Sequence, residues 1–321
     1  MAAAPQLQPR HSLLPEHIIP AYQTALGTML QGKSEEILSG DVLDALKGKV
    51  QLIFTSPPFP LNKKKKYGNL QGDAYLQWLK EFAPLFKELL TEDGSIVIEL
   101  GNAWMPGEPT MSTLALKSLI EFQESAKLHL CQQFVCHNPT RLPSPIEWVN
   151  VQRIRVIDSY TNVWWLGKSS RPKADNRKVL QEYSEAMKQL LSSKKYNSGK
   201  RPSQFRVGEK SFLKDNGGSI PSNVLRMPNT TSSDEYLRYC RKEKLQLHPA
   251  RMPMALPEFF IKFLTDENDV VLDPFGGSNS TGAAAEKLQR QWVSIEPDSD
   301  YIKGSRGRFP GLVEDDPVEQ Q

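Results

Sequence analysis

Residues 269–289 read D-V-V-L-D-P-F-G-G-S-N-S-T-G-A-A-A-E-K-L-Q. Asp269 to Asp273 has the length and apolar character of a buried strand, Pro274 to Gly282 is turn-forming, and Ala283 to Gln289 is rich in helix formers. A strand that passes through a glycine-rich turn into a helix is a unit of α/β folds, and it lets backbone approach a nucleotide-like ligand closely. A further strand, Trp292 to Ile295, ends in Glu296, 23 residues after Asp273. An acid at the tip of that strand stands where a ribose hydroxyl pair would be held.

Three cofactors compete for such a turn. Gly277 and Gly282 have the glycine spacing of a P-loop, but Ala283 occupies the lysine position. The pair Gly276-Gly277 does not supply a dinucleotide G-x-G-x-x-G. Both failures point away from phosphate and toward S-adenosylmethionine, which has a ribose and an adenine but no phosphate. Its sulfonium suits a nearby carboxylate such as Asp273. A turn with only a packing role leaves Asp273 and Glu296 at two strand ends without a reason.

On either side of this unit, strands and helices alternate through most of the chain, the pattern of an α/β fold with a mainly parallel sheet. The spacing predicts strands at Val50–Thr55, Ser95–Leu100, 132–136 and 162–166, and helices at Asp73–Leu90, Leu114–Leu130 and Leu256–Leu264. Glu92-Asp93-Gly94 is read as a turn, and residues 1–35 as coil with short amphipathic pieces. Between Gly167 and Pro228 aliphatic strands give way to Lys, Arg, Ser, Asn and Gly, with one helical patch at Val179–Leu191. The expected organisation is a flexible leader (1–21), a catalytic half (22–166), an inserted ligand-facing region (167–228), a cofactor-binding half (229–309) and an acidic tail (310–321).

The strand Val50–Thr55 runs into Ser56-Pro57-Pro58-Phe59. Two prolines remove two N–H donors and stiffen the backbone, leaving carbonyl oxygens as fixed acceptors. Ser56 adds a hydroxyl that also accepts, and Phe59 adds a flat apolar face. Rigid acceptors beside an aromatic plate fit a planar heterocycle bearing an exocyclic amine. Such an amine is a poor nucleophile, because its lone pair is delocalised into the ring. Accepting its protons at Ser56 and at the Pro57 carbonyl favours a tetrahedral nitrogen and aims the lone pair, which is orientational and electrostatic catalysis. A base inside a duplex must be flipped out to reach such a pocket, and Phe59 is the stacking candidate.

The 321 residues suffice for a large α/β domain and an insertion, and 39% hydrophobic with 24% charged residues is ordinary for a globular protein. No apolar run approaches membrane-spanning length, and Met1–Pro20 has no signal-like core, so a cytoplasmic protein is expected. Three cysteines, Cys131, Cys136 and Cys240, make no disulfide framework, and with His137 they lack the second ligand pair of a zinc site. A net charge of +3 says little, but its distribution says more: Lys63, Lys64, Lys65 and Lys66 follow the Pro-Pro loop closely, where a substrate backbone would pass. Arg201, in the basic insert, is a further candidate for nucleic-acid contact.

Together these segments resemble the amino-methyltransferases of bacterial restriction–modification systems. The resemblance is to the permuted β class, in which the Ser-Pro-Pro motif precedes the cofactor motif, and within it to PvuII-type cytosine-N4 enzymes. It rests on T-S-P-P-F at 55–59, L-P-S-P-I-E-W-V-N at 142–150, K-D-N-G-G-S-I-P at 214–221, H-P-A-R-M-P at 248–253 and F-G-G-S-N-S-T-G at 275–282. It implies a seven-stranded S-adenosylmethionine-dependent methyltransferase sheet with one reversed strand and a target-recognition region at 167–228. Ser56, Pro57, Pro58 and Phe59 match the catalytic loop. Thr55, Asp273, Phe275, Gly276, Gly277, Ser278, Glu296 and His248 match cofactor-binding positions. Asp41 resembles the element capping the adenine, with Gly32-Lys33-Ser34 as a rival alignment. The implied partners are double-stranded DNA and a cognate restriction endonuclease, and the implied state is a monomer.

Ser before Pro-Pro favours cytosine N4, with adenine N6 as the alternative. Carbon-5 methylation is disfavoured, because none of the cysteines follows a proline. A silent nucleic-acid-binding protein on the same scaffold predicts damage to one of the two loops, and neither shows any. A methyltransferase acting on RNA or on protein amines is the third reading, and the basic insert and the motif order weigh against it.

Overall fold

The apolar runs form the centre of a single sheet in the computed structural model, which describes residues 13–59, 70–195, 198–200, 202–203, 206–208, 213–229 and 234–313. The strands are β1 (Tyr22–Gln23), β2 (Gly27–Gln31), β3 (Val50–Thr55), β4 (Leu90–Gly101), β5 (His129–His137) and β6 (Tyr160–Gly167). They continue with β7 (Gly199–Lys200), β8 (Arg206–Val207), β9 (Val224–Arg226), β10 (Val270–Asp273) and β11 (Gln291–Glu296). Nine of them form one sheet in the order β1-β2-β11-β10-β3-β4-β6-β5-β9. The seven from β2 to β5 are the expected methyltransferase sheet. Within it only β6 runs against its neighbours, and β1 and β9 extend the two edges.

Both faces of the sheet are buried, as a central α/β sheet requires. Along β10, Val270 and Leu272 enter one apolar core while Val271 enters the other, and Ile96 and Ile98 alternate with Val97 along β4 in the same way. The helices α1 (Ser34–Ile37), α2 (Gly40–Leu46), α3 (Gly72–Leu89) and α4 (Leu114–Ser125) precede β5. Phe82 and Phe86 of α3 and Phe122 of α4 fill the first core. Later come α5 (Glu185–Ser193), α6 (Glu235–Lys242), α7 (Ala255–Leu264) and α8 (Ser280–Lys287), then α9 (Ser299–Ser305) and α10 (Pro310–Val313). Phe260 and Leu264 of α7 fill the second core.

Several elements differ from the sequence reading. The strand β2 replaces expected coil: Gly27 lies under the Trp292 ring, which leaves no room for a Cβ. The Glu92-Asp93-Gly94 turn is absorbed into β4, where the ladder to β3 shifts register between Leu90 and Ser95. Helix α4 stops at Ser125, because Lys127 turns left-handed (φ 50°) and redirects the chain into β5. Helix α5 starts only at Glu185, where the Ser184 hydroxyl caps it by accepting from the Met187 N–H. In the expected leader, Leu14 is buried in the first core.

The chain divides into two compact units, Met1–Ala174 with Asn223–Gln321, and Asp175–Ser222. In the smaller unit the Tyr183 hydroxyl donates to Asp215 (3.1 Å) and accepts from the Asn216 N–H (2.8 Å), tying residues 215–216 to residue 183. Among the described residues no helix is long and apolar enough to cross a membrane.

Candidate active site

Strands β3, β4, β10 and β11 are parallel, so Thr55, Gly101, Asp273 and Glu296 end at one edge of the sheet. There the two loops singled out in the sequence meet. Thr55 Oγ1 donates to Asp273 Oδ1 at 2.8 Å, Thr281 Oγ1 donates to Oδ2 at 2.6 Å, and the Phe275 N–H donates to Oδ1 at 3.1 Å. Burial pushes this carboxyl up to about 6, against the pull of those hydrogen bonds. The sequence reading makes Asp273 a partner for a sulfonium. With three donors on it, it ties β3, the turn and the start of α8 together.

The turn itself is built by Asn279, a fully buried left-handed residue (φ 53°) that caps α8 by accepting from the Gly282 N–H. Its Oδ1 also accepts from the Ser294 hydroxyl at 2.8 Å, and its Nδ2 donates to the Tyr22 hydroxyl at 3.0 Å. Gly277 is left-handed too (φ 51°), and a Cβ there would lie 3.0 Å from His248 Nε2. A side chain would strain the backbone and press on the imidazole.

Glu296 closes this side. Its Oε2 accepts from the Gly277 N–H (2.8 Å) and its Oε1 from the Asp298 N–H (2.9 Å). Burial raises the carboxyl to about 7. Each oxygen keeps a lone pair, so Glu296 could accept from a hydroxyl pair at this edge. Burial lowers His248 to about 4, so the ring is neutral at pH 7. Its Nδ1 accepts from the Ala250 N–H at 3.3 Å, which leaves the proton on Nε2, beside Gly277.

On the other loop, the half-buried Ser56 hydroxyl donates to the carboxyl of Glu99. Glu99 lies near the end of β4, 7% exposed, and also accepts from Thr161 Oγ1 at 2.8 Å. Burial raises its pKa above the usual carboxylate range, with Arg141 acting in the opposite direction. Pro57 is buried, and the Phe59 ring lies over Gly101, where a Cβ would stand 2.5 Å from the ring. Glu99 escapes the sequence reading. Its signal is present: one acid inside the apolar run S-I-V-I-E-L at 95–100.

Of the other predicted residues, Phe275 packs against Trp78 and Phe82, with ring centroids 5.4 and 5.3 Å away. Gly276 sits at the end of β11, its N–H donating to the Ile295 carbonyl at 2.8 Å. Ser278 accepts from Arg308 through both its hydroxyl and its carbonyl. Arg308 also escapes the sequence reading, since no local motif marks an arginine that folds back 30 residues later. Asp41 is not in this cluster: it lies exposed on α2 and pairs with His17 at 2.8 Å. The rival segment is the one in contact, because the buried Ser34 hydroxyl donates to the Pro274 carbonyl. Lys63, Lys64, Lys65, Lys66 and Arg201 lie outside the described residues.

Comparison with known proteins shows the family. Residues 50–306 match the N6/N4 methyltransferase family model, described as DNA methylase. The chain is 44% identical to the type II methyltransferase M.PvuII of Proteus hauseri, over 90% of this chain and 85% of that one. It is 26% identical to the DNA adenine methyltransferase YhdJ of Escherichia coli K12, over 86% and 83%. Among solved structures it is similar to the cytosine-N4-specific PvuII DNA methyltransferase, with a TM-score of 0.72, 37% identity and 90% and 88% of the two chains covered. The M1.HpyAVI–SAM complex shares the fold, with a TM-score of 0.52 at 19% identity over 89% and 100% of the chains.

Proposed function

This chain belongs to the N6/N4 DNA methylase family, and from that premise we propose that it methylates the exocyclic N4 of a cytosine flipped out of duplex DNA. The methyl donor is S-adenosylmethionine, which when bound supplies an electrophilic methyl group on a sulfonium. The observation that carries the reading is the Thr55–Asp273 hydrogen bond, which fixes the Ser56 loop beside the Gly276-Gly277 turn.

The residues fit their tasks. Glu296 accepts the ribose hydroxyls, and Gly276 and Gly277 let the turn lie close against Ser294, Ile295 and His248, where a side chain would press on them. Neutral His248 presents Nε2–H next to Gly277. Because the Ser56 hydroxyl gives its own proton to Glu99, its lone pairs remain to accept an amine proton. The Pro57 carbonyl accepts the other. After transfer the nitrogen is cationic and must lose a proton. Glu99, whose burial makes it more basic than an ordinary carboxylate, takes that proton through Ser56. Phe59 stacks on the extruded base.

The similarity to the PvuII enzyme supports cytosine N4 and a place as the modification partner of a restriction endonuclease that acts on the same site. Adenine N6 is the second reading, favoured by the similarity to YhdJ. Both loops belong to one compact unit of one chain, which suits a cytoplasmic monomer methylating each strand in turn. The unit Asp175–Ser222 serves as target-recognition region. Incubation with S-adenosylmethionine labelled on its methyl group tests the reading. Label should enter duplex DNA, and label entering RNA or protein but not duplex DNA would overturn it.

A further inference from the structure

The connection between β5 and β6, residues 138–159, rises from the same sheet edge as the Ser56 loop. Its base is Tyr160, opposite His137 in the ladder and next to the Thr161 that bonds Glu99. Among the described residues it holds the densest group of exposed apolar side chains: Leu142, Ile146, Val151, Ile154, Val156 and Ile157. Leu142 is 81% exposed and Val156 86%.

This exposure is built in. The Asn138 N–H donates to the Ser159 carbonyl at 2.8 Å and closes the loop. The N–H groups of Ile154 and Arg155 both donate to the Trp148 carbonyl, at 3.0 and 3.2 Å. The Arg155 guanidinium stacks 3.7 Å from the centre of the Trp104 ring and donates to the Pro109 carbonyl, which ties the loop to the β4–α4 connection. The backbone therefore holds apolar side chains in water at the mouth of the site, an arrangement that marks a contact surface. Arg141 and Arg153 lie among them, both exposed, against one exposed acid, Glu147, so the surface is apolar with a net positive charge. That combination matches stacked bases flanked by phosphates.

We infer that this loop enters the duplex and that its two most exposed apolar side chains, Leu142 and Val156, fill the space left by the extruded base. The inference rests on the proposed function, because a gap arises only if a paired base is flipped. Inserting apolar side chains between bases offsets the stacking forfeited on extrusion.

The test compares two substrates, a fully paired duplex and the same duplex with no base opposite the target, on which extrusion costs less. The double variant Leu142→Ser/Val156→Ser changes only exposed side chains, and Ile19→Ser, at an 89% exposed position elsewhere, is the control. On the paired duplex the double variant should lose at least about tenfold in turnover, while on the unpaired one it stays near the parent and the control is unchanged on both. Equal losses on both substrates, or none on either, would overturn the inference. So would a parent dimer that the substitutions convert to monomer, since the surface would then belong to a second copy. A parent that methylates neither substrate would instead sink the functional reading, with cofactor binding as the check that the protein is intact.

Discussion

Thr55 Oγ1 and Asp273 Oδ1 stand 2.8 Å apart across 218 residues of sequence. That hydrogen bond joins the end of the strand carrying the Pro-Pro loop to the end of the strand carrying the glycine turn. It makes the distance between the two loops a property of the sheet. Thr55→Val keeps the shape and removes the donor, leaving a buried carboxyl oxygen with one partner fewer. The expected cost is about 1–3 kcal/mol of stability in urea denaturation, with weaker cofactor binding and lower turnover. Unchanged stability and unchanged cofactor affinity would show that the tie is idle.

Ser56→Ala should bind cofactor and DNA as the parent does and lose most of its turnover, by about 10²–10³-fold in single-turnover measurements. The substitution removes an acceptor used as the amine becomes tetrahedral. Near-parental turnover would show that the hydroxyl has no such task.

Glu99→Gln keeps the side-chain shape and removes the proton acceptor. In the parent, turnover should fall as pH drops through the raised pKa of Glu99, because the protonated carboxyl can take no further proton. The variant should be slower at neutral pH and lack that acid limb. A variant with the parental pH profile would place the acid limb on another group.

Cofactor affinity should rise with pH. Glu296 titrates at about 7 in the folded chain, against 4.5 for an unperturbed glutamate, so at pH 6 it is mostly protonated. A raised folded value gives the ligand-free chain stability that is fully present below about 4.5 and lost as pH rises through about 7. A ribose diol donates to the ionised carboxylate, so binding releases a proton and tightens between pH 6 and 8. Calorimetric titration across that range checks the trend, and Glu296→Gln should flatten it.

Replacing Lys63, Lys64, Lys65 and Lys66 with alanine should weaken DNA binding irrespective of sequence. It should also reduce the salt dependence of binding by about 0.9 in slope for each phosphate that is no longer neutralised. An unaltered slope would remove these lysines from the interface.

Much of this is legible in the sequence because backbone chemistry announces itself locally. The glycine turn at 276–277 and the prolines at 57–58 identify their loops by residue type alone, and the apolar runs of β4 and β10 mark strands buried on both faces. Side-chain ties between distant segments are not legible. Glu99 under Ser56, Arg308 on Ser278 and Ser34 against Pro274 depend on how the sheet orders its strands, and no spacing encodes that order. Asp41 shows the converse: a plausible local motif that lies exposed on α2, paired with His17.

If the Ser56 loop delivers a methyl group to an exocyclic cytosine amine, the methylated base itself carries the proof. Duplex DNA methylated by the purified protein, digested to nucleosides and resolved by mass spectrometry against standards, should contain N4-methylcytosine as its new base. N6-methyladenine or 5-methylcytosine in its place would contradict this assignment of the loop.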